Sequence, residues 1–539
     1  MLSGATLIHG AAFLSHLPAH NRYGRALCQL ECCQRKKLSR YLKIFAETEL
    51  GRYLKISPDW TYEDFQNRLP VVDYKDLESW IQKQRANPSA AVVALSSPRF
   101  EPTSGSTEKR KWIPYSPELM KEFEEAASTW IADLTWRHPG IMRGRHYWSL
   151  SWLPDDLRAE ISTSNDLHIF PFWKQMAMKR IMAVPDEVSR LPSLEASMIM
   201  TLEQLAACED LSLISVWSPT FAIELLRLFG EIKNDIIKRL RSNGVSQRRL
   251  KLIESWDGSL CGDFFKQLWP HLALVSTWDS HSSALWATEL KALLPQAAVQ
   301  GKGLWATEGV VTIPFRGVKP LAVTSHFYEF RDLNTQEILP SWELKHGQVV
   351  QPLLTTGSGF MRYALEDRLS VEGSLEGVPT FEFRGRLRGV DMVGEKMDPA
   401  GAQEILSRIS REFRHHAIAL LADGGDSSSR PGYTLLFESD LKISEAEEKD
   451  LCRRTEELCA AFHHYKLARQ LGQLREAQCF AARSGIKVYT SLSRVEGLRG
   501  QIKFEPLLQV NRDVLLRLKT DSGFGNFSEG RSYAESARA

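Results

Sequence analysis

The sequence has no excess of charge of either sign. Lys and Arg number 68 against 66 for Asp and Glu, a formal net charge of +2. Without a global field, a dedicated nucleic-acid binder finds no support. Long apolar runs are also missing. The most apolar stretch, Leu211 to Phe229, is interrupted by Pro219, Glu224 and Arg227 and cannot span a bilayer. The N-terminal MLSGATLIHGAAFLSHLPAH has no basic segment ahead of its modest apolar run, so it reads as a helix and not a signal peptide. Cysteines are few: eight, with no C-x-x-C and no disulfide spacing, as a reduced, cytoplasmic compartment permits. The chain has no Walker A motif and no G-x-S-x-G elbow. That leaves a P-loop NTPase and an α/β-hydrolase without support.

What is present is a globular composition, 43% apolar and 25% charged over 539 residues. Such a length fits roughly three to four domain-sized units, or one large α/β domain with a smaller one. The first hundred residues read as helices, with turns at Ser57-Pro58-Asp59 and Leu69-Pro70. Short β-like runs follow at Leu211–Val216, Leu272–Val275 and Val310–Ile313, separated by helical stretches, which is an α/β pattern. After about residue 385 the texture changes. Asp398-Pro399 is a helix start with Pro at the first helical position, and Ile405, Leu406, Ile409 and Phe413 then share a face. Tyr433–Phe437 is strand-like. Ser444 and Glu447 have capping-box spacing, opening a helix with Leu451, Leu458, Phe462 and Tyr465 on one stripe. Ile486–Tyr489 is a further alternating run, and the Gly/Ser-rich tail from about residue 520 is expected to fray.

Four segments carry candidate chemistry. Thr103-Ser104-Gly105-Ser106-Thr107-Glu108-Lys109-Arg110-Lys111 gathers hydroxyls, a glycine and cations in nine residues. Hydroxyls and loop amides can cradle phosphate, and a lysine can neutralise it. The same residues are ordinary in a solvated loop. Trp305-Ala306-Thr307-Glu308-Gly309 places a carboxylate at a glycine turn, where it can hold Mg²⁺ near a triphosphate or simply end a strand. Thr355-Thr356-Gly357-Ser358-Gly359-Phe360-Met361-Arg362-Tyr363 precedes Glu366-Asp367, whose Asp can bind vicinal hydroxyls or cap a hairpin. Phe383-Arg384-Gly385-Arg386 is a hinge or a basic linker.

In their order these segments resemble the motifs of the adenylate-forming superfamily, and more closely those of the GH3 family of acyl-acid amido synthetases. The resembling residues are Thr103 to Thr107 with Lys111 and Pro114, then Thr307-Glu308-Gly309. They continue through Thr355, Thr356, Gly359, Phe360, Arg362, Tyr363 and Asp367, and end at Gly385-Arg386 and Gly394-Glu395-Lys396. Leu69-Pro70-Val71, Tyr74, Leu77, Ser218-Pro219 and Trp269-Pro270 are also similar to family positions. The resemblance implies a large N-terminal adenylate-forming α/β domain over residues 1–385, a hinge over 386–397 and a smaller mobile α+β domain over 398–539. It implies ATP and Mg²⁺ as cofactors, and a small carboxylic acid and an amine, usually an amino acid, as substrates. The acid would be adenylated and the acyl group then passed to the amine, with AMP and pyrophosphate released.

The implied roles are Lys111 and Thr103, Ser104, Gly105, Ser106 and Thr107 on the phosphates, and Ala306 and Thr307 beside the nucleotide. Glu308 would bind the metal, Asp367 the ribose, and Arg386 the nucleotide. Lys503, in Gly500-Gln501-Ile502-Lys503, resembles the second lysine that the small domain supplies. Trp148, Trp152, Trp217, Trp278 and Trp305 fall in segments resembling the acyl pocket, although core aromatics would look the same. Two departures stand out. Glu108 and Glu366 occupy positions where relatives usually carry glycine. Two other readings stay open at this point: transfer to a thiol on coenzyme A or a carrier protein, and a degenerate homologue that only binds ligand. Cys459 and His463 have i,i+4 spacing, but one helix giving two ligands is an incomplete metal site.

Overall fold

The computed structural model describes residues 4–97, 99–102, 111–149, 172–387, 389–390, 392–393, 395–425, 429–439, 442–470, 472–493 and 504–521. They fall into two compact units, one running to Arg384 and the other starting at Gly385.

The first unit begins with helices α1 (Gly4–Leu27), α2 (Leu30–Ala46), α3 (Glu49–Tyr53), α4 (Tyr62–Arg68) and α5 (Tyr74–Ala86). Thr61 with Asp64 and Asp73 with Asp76 form reciprocal capping boxes that start α4 and α5. A hairpin follows, β1 (Arg99–Pro102) with β2 (Trp112–Tyr115), pairing Pro102 with Trp112. Helix α6 (Pro117–Arg137) starts at Ser116, whose hydroxyl accepts from Leu119 N–H, with Pro117 in the first turn. Its buried stripe runs through Leu119, Phe123, Ala126, Trp130 and Leu134.

Four parallel strands come next: β3 (Arg145–Trp148), β4 (Leu211–Ser215), β5 (Leu274–Thr277) and β6 (Ala298–Gly301), ordered β3-β4-β5-β6. Every residue of β4 and β5 is buried, as a sheet covered on both faces requires. A tight hairpin, β7 (Trp305–Ala306) and β8 (Gly309–Val310), holds Thr307 and Glu308 at its tip. The strand expected over Val310–Ile313 is thus cut to its first residue. Beyond it Val311 N–H and Thr312 N–H both donate to Leu304 O, and Thr312 forms an isolated bridge to Leu321.

An antiparallel sheet completes the unit. It contains β9 (Phe327–Asp332), β10 (Ile338–Pro340), β11 (Val349–Thr355), β12 (Tyr363–Ala364), β13 (Asp367–Leu375) and β14 (Val378–Arg386), the last two residues of β14 belonging to the second unit. Helix α2 packs Tyr41 and Phe45 into the same buried cluster as Phe327 and Phe330. Each such fully buried side chain contributes about 1.5–3 kcal/mol.

The second unit is a mixed sheet of β15 (His416–Asp423), β16 (Gly432–Glu438), β17 (Gln478–Ala482) and β18 (Leu507–Val510), ordered β17-β16-β15-β18. Asp398 caps the helix Pro399–Phe413, accepting from Gly401 N–H at 2.7 Å, and Ile405, Leu406 and Ile409 are buried on its face. Two expectations are corrected. The Ser444-capped helix ends at Ala460, and Tyr465 lies on a second helix, His463–Gln470. The break lays the Phe462 ring against Gly401, and the Tyr465 hydroxyl donates to Glu456 at 2.8 Å. It also separates Cys459 from His463. The run Ile486–Tyr489 is not a strand but part of the helix Gly485–Leu492. Ser484 caps it, and Ile486, Tyr489 and Leu492 recur at helical spacing on its buried face.

Candidate active site

The third motif is a turn between β11 and β12, built by backbone geometry. Gly359 has φ +91°, and a Cβ there would meet Val93 O at 2.0 Å. At Gly357 a Cβ would meet Leu119 N of α6 at 2.6 Å, so only glycine lets the turn press against the helix. The turn's hydroxyls work internally. Thr355 Oγ1 accepts from Arg362 N–H at 3.0 Å, and Thr356 Oγ1 lies 2.6 Å from Ser358 Oγ.

Arg362 is a pin for this turn. It is 3% exposed with φ +54°, and its guanidinium donates to both Glu329 oxygens at 2.8 and 3.1 Å. It also donates to Gln66 O at 2.8 Å and to Leu69 O. Burial pushes the Glu329 carboxyl up, against the pull of Arg362. Val72 N–H then donates to Arg362 O and Ala364 N–H to Val72 O. The Leu69-Pro70 segment is thereby laced to the third motif.

A second buried network ties the third motif to the second, and it has no sequence signal. Glu122 of α6 accepts from Tyr41 O–H at 2.7 Å, from Gly357 N–H at 3.0 Å and from His326 Nδ1 at 2.8 Å. Val310 N–H donates to His326 Nε2 at 3.0 Å, so that nitrogen is the acceptor and the proton sits on Nδ1. Burial lowers the His326 pKa, opposed by Glu122, which keeps the ring neutral. The Thr307-Glu308 hairpin and the Gly357 turn are thus fixed to one helix.

On this frame three motifs converge. Lys111, next to β2, places Nζ 3.4 Å from Glu366 Oε1. Tyr115, at the end of β2, donates to Thr307 O at 3.2 Å. Tyr363 Oη lies 3.5 Å from Glu308 Oε1, and its ring stacks on Phe360 at 4.7 Å. Burial raises the Tyr363 pKa, with further contributions from the charges of Glu308 and Glu366. Asp367 opens β13 and is 5% exposed. Ala306 pairs with Gly309 across the hairpin. Lys111, Ala306, Thr307, Glu308 and Asp367 therefore belong to one neighbourhood.

In the second unit, Arg386 Nε lies 3.2 Å from Glu505 Oε1, and the Glu505 backbone N–H donates to Tyr489 O–H at 2.8 Å. Thr103, Ser104, Gly105, Ser106, Thr107, Glu108, Trp152, Gly394 and Lys503 lie outside the described residues. No group of three or more His, Cys, Asp or Glu among the described residues is arranged to hold a metal ion.

Residues 20–299 match the GH3 family N-terminal domain, and residues 320–386 match the GH3 family central domain. The chain belongs to the GH3 family. It is 22% identical over 440 residues to the jasmonoyl-L-amino acid synthetase JAR4 of Nicotiana attenuata, covering 72% of this chain and 75% of that one. The solved structure of the AtGH3.15 acyl acid amido synthetase in complex with 2,4-DB is similar at 16% identity, with a TM-score of 0.78 over 94% of this chain and 96% of that one. Another structure of a GH3.15 acyl acid amido synthetase gives a TM-score of 0.75 at 16% identity, over 92% and 94% of the two chains. The GH3 chain thus has the fold of those structures. None of its described helices is long and apolar enough to cross a membrane.

Proposed function

We propose that this GH3 protein is an acyl-acid amido synthetase, a ligase forming carbon–nitrogen bonds. In the first half-reaction a carboxylate oxygen of the acid attacks the α-phosphorus of ATP. The bond from that phosphorus to the bridging oxygen breaks, and pyrophosphate leaves. In the second, an amino-acid amine attacks the acyl carbon of the adenylate, and AMP departs with the electron pair of the broken C–O bond.

The observation that carries this reading is the convergence of Lys111, Glu308 and Asp367 from three motifs, held by Lys111–Glu366, Tyr115–Thr307 and Tyr363–Glu308. Two anions must meet in the first step, so fixed positive charge is the catalytic demand. Lys111 supplies it to the phosphates, together with the Thr103–Thr107 loop. Glu308, half-buried at a hairpin tip, suits Mg²⁺, which commonly takes one or two carboxylates and fills its shell with phosphate oxygens and water. The metal would neutralise phosphate charge. Asp367 takes the ribose hydroxyls, Ala306 and Thr307 border the nucleotide, Arg386 contacts the nucleotide and Lys503 assists catalysis.

The test is acid-dependent ATP–pyrophosphate exchange across a panel of aromatic and aliphatic acids, followed by mass spectrometry of products formed with amino acids or with coenzyme A. Exchange together with an acyl-amino-acid amide is the expected result. An acyl-thioester with no amide overturns the acceptor and leaves adenylation standing. Absence of exchange with every acid overturns both.

A further inference from the structure

His326 stands just before β9, fully buried, with a partner of opposite need at each ring nitrogen. Nε2 accepts from Val310 N–H at 3.0 Å, and Nδ1 donates to Glu122 at 2.8 Å. The backbone around it is tied to α2. His326 O accepts from Gln34 Nε2 at 2.9 Å, and Tyr328 N–H donates to Gln34 Oε1 at 2.9 Å. The rings of Phe123 and Tyr328 meet the imidazole edge-on, with centres 6.2 and 5.9 Å away.

The order of donor and acceptor matters. Only neutral histidine with its proton on Nδ1 serves both partners at once. With the proton on Nε2, two N–H groups would face each other at Val310. The Glu122 carboxylate only accepts, so it selects the tautomer that leaves Nε2 free for the hairpin.

Val310 is the second residue after Glu308, on the return strand of the hairpin. Between them Gly309 rests on the ring: a Cβ there would meet His326 Nε2 at 2.9 Å and Cδ2 at 3.1 Å. At the other end of the relay, a Cβ at Gly357 would meet Glu122 Oε1 at 2.7 Å. One imidazole and one carboxylate thus reach from the Glu308 hairpin to the turn that leads to Tyr363 and Asp367. Mg²⁺ tolerates little error in its ligands, since it demands near-octahedral geometry at about 2.0–2.1 Å.

We infer that His326 is a positioning residue for the metal-binding carboxylate. By accepting from Val310 N–H it sets the place of Glu308, and through Glu122 it makes that place depend on the Gly357 turn. The inference rests on the proposed role of Glu308 towards Mg²⁺. Removing such outlying support of a metal ligand typically costs about 10–100-fold in metal affinity.

The experiment titrates ATP into the full chain by calorimetry at a series of Mg²⁺ concentrations, with the unfolding midpoint of each variant recorded. A glutamine amide oxygen reaches the place of Nε2, whereas an asparagine amide reaches only that of Nδ1. His326→Asn should raise the Mg²⁺ concentration giving half-maximal ATP affinity by about tenfold or more, and His326→Gln should stay within about threefold of the parent. Gln34→Ala loosens the same backbone without touching the ring. It should lower the unfolding midpoint and leave the Mg²⁺ response within about threefold of the parent. If His326→Asn does not fold, Glu122→Gln combined with His326→Met takes its place with the same expected rise, because a buried pair replaced as a unit costs far less stability than a pair broken at one partner. An unshifted response in a variant lacking the acceptor, equal shifts in His326→Asn and His326→Gln, or an equal shift in Gln34→Ala overturns the inference and leaves the proposed function standing. A parent whose ATP affinity ignores Mg²⁺ overturns the role of Glu308 and the inference with it.

Discussion

Lys111 Nζ stands 3.4 Å from Glu366 Oε1, across 255 residues of chain. Lys111 follows the Thr103–Thr107 segment and Glu366 directly precedes Asp367. On the proposed reading, Glu366 holds the cation that would neutralise the triphosphate. The pair is partly exposed, with side-chain exposures of 21% and 31%, so its strength is that of a screened surface pair, about 0–1 kcal/mol. Glu366→Gln should therefore tighten ATP binding by up to about fivefold. Lys111→Ala should slow ATP–pyrophosphate exchange by roughly 10²–10³-fold. Calorimetric ATP titration and exchange kinetics check the two values. Weaker ATP binding in Glu366→Gln would show that this carboxylate assists the nucleotide.

Glu308 and Asp367 should separate in their responses. Glu308→Gln keeps shape and removes charge, so it should raise the Mg²⁺ concentration needed for half-maximal exchange. Asp367→Asn should raise the ATP requirement with little change in the metal response. Paired Mg²⁺ and ATP titrations of both variants decide this, and superimposable curves would refute separate roles.

The Glu122–His326 pair should prove costly to break. His326 is fully buried and Glu122 is 7% exposed, and Glu122 accepts three hydrogen bonds. Glu122→Ala leaves the Gly357 and His326 donors unpaired and the Tyr41 hydroxyl with only a 3.4 Å contact to Ser325 O. The expected loss is about 2–5 kcal/mol in the unfolding transition of the first unit, at about 1–3 kcal/mol per buried donor left unpaired, measured by urea denaturation. A loss below about 1 kcal/mol would mean that the network is dispensable.

Acid should weaken the first unit through His146. Burial lowers its pKa to about 3, with His9 adding to the effect at a ring separation of 4.4 Å. The unfolded chain binds this proton near pH 6.5, while the folded chain holds the ring neutral well below that. Stability contributed by the neutral ring is therefore complete above about pH 6.5 and falls progressively towards pH 3. At pH 5 the loss is about 2 kcal/mol. His146→Gln should flatten the dependence between pH 7 and pH 5 in urea midpoints. An equally steep slope in the variant would place the acid sensitivity elsewhere.

The features legible in the sequence were those encoded by neighbours along the chain. Asp398-Pro399 and Ser444 start helices because a side-chain oxygen reaches an amide three residues on, a relation visible in a few letters. Short windows also misled. Ile486-Lys487-Val488-Tyr489 alternates like a strand, yet the buried positions continue to Leu492 and require a helix. The four motifs and their order were legible as well, because residue type and order are read directly along the chain. The work of those groups was not. Arg362 and the Thr355 and Thr356 hydroxyls hold the turn together, a result of its close packing against Glu329, Gln66 and α6.

The sequence by itself determined the family's motif set, the helix starts and the mixed α/β character, since each depends on residue type and short spacing. Only the tertiary structure decided which charges and rings meet. Lys111 finds Glu366, Glu122 finds His326, and Lys302 finds three tryptophans through strand register and helix packing over separations of up to 255 residues. Such meetings are set by the one arrangement that buries the apolar faces together. A buried polar group must then take whatever partner that arrangement brings within reach.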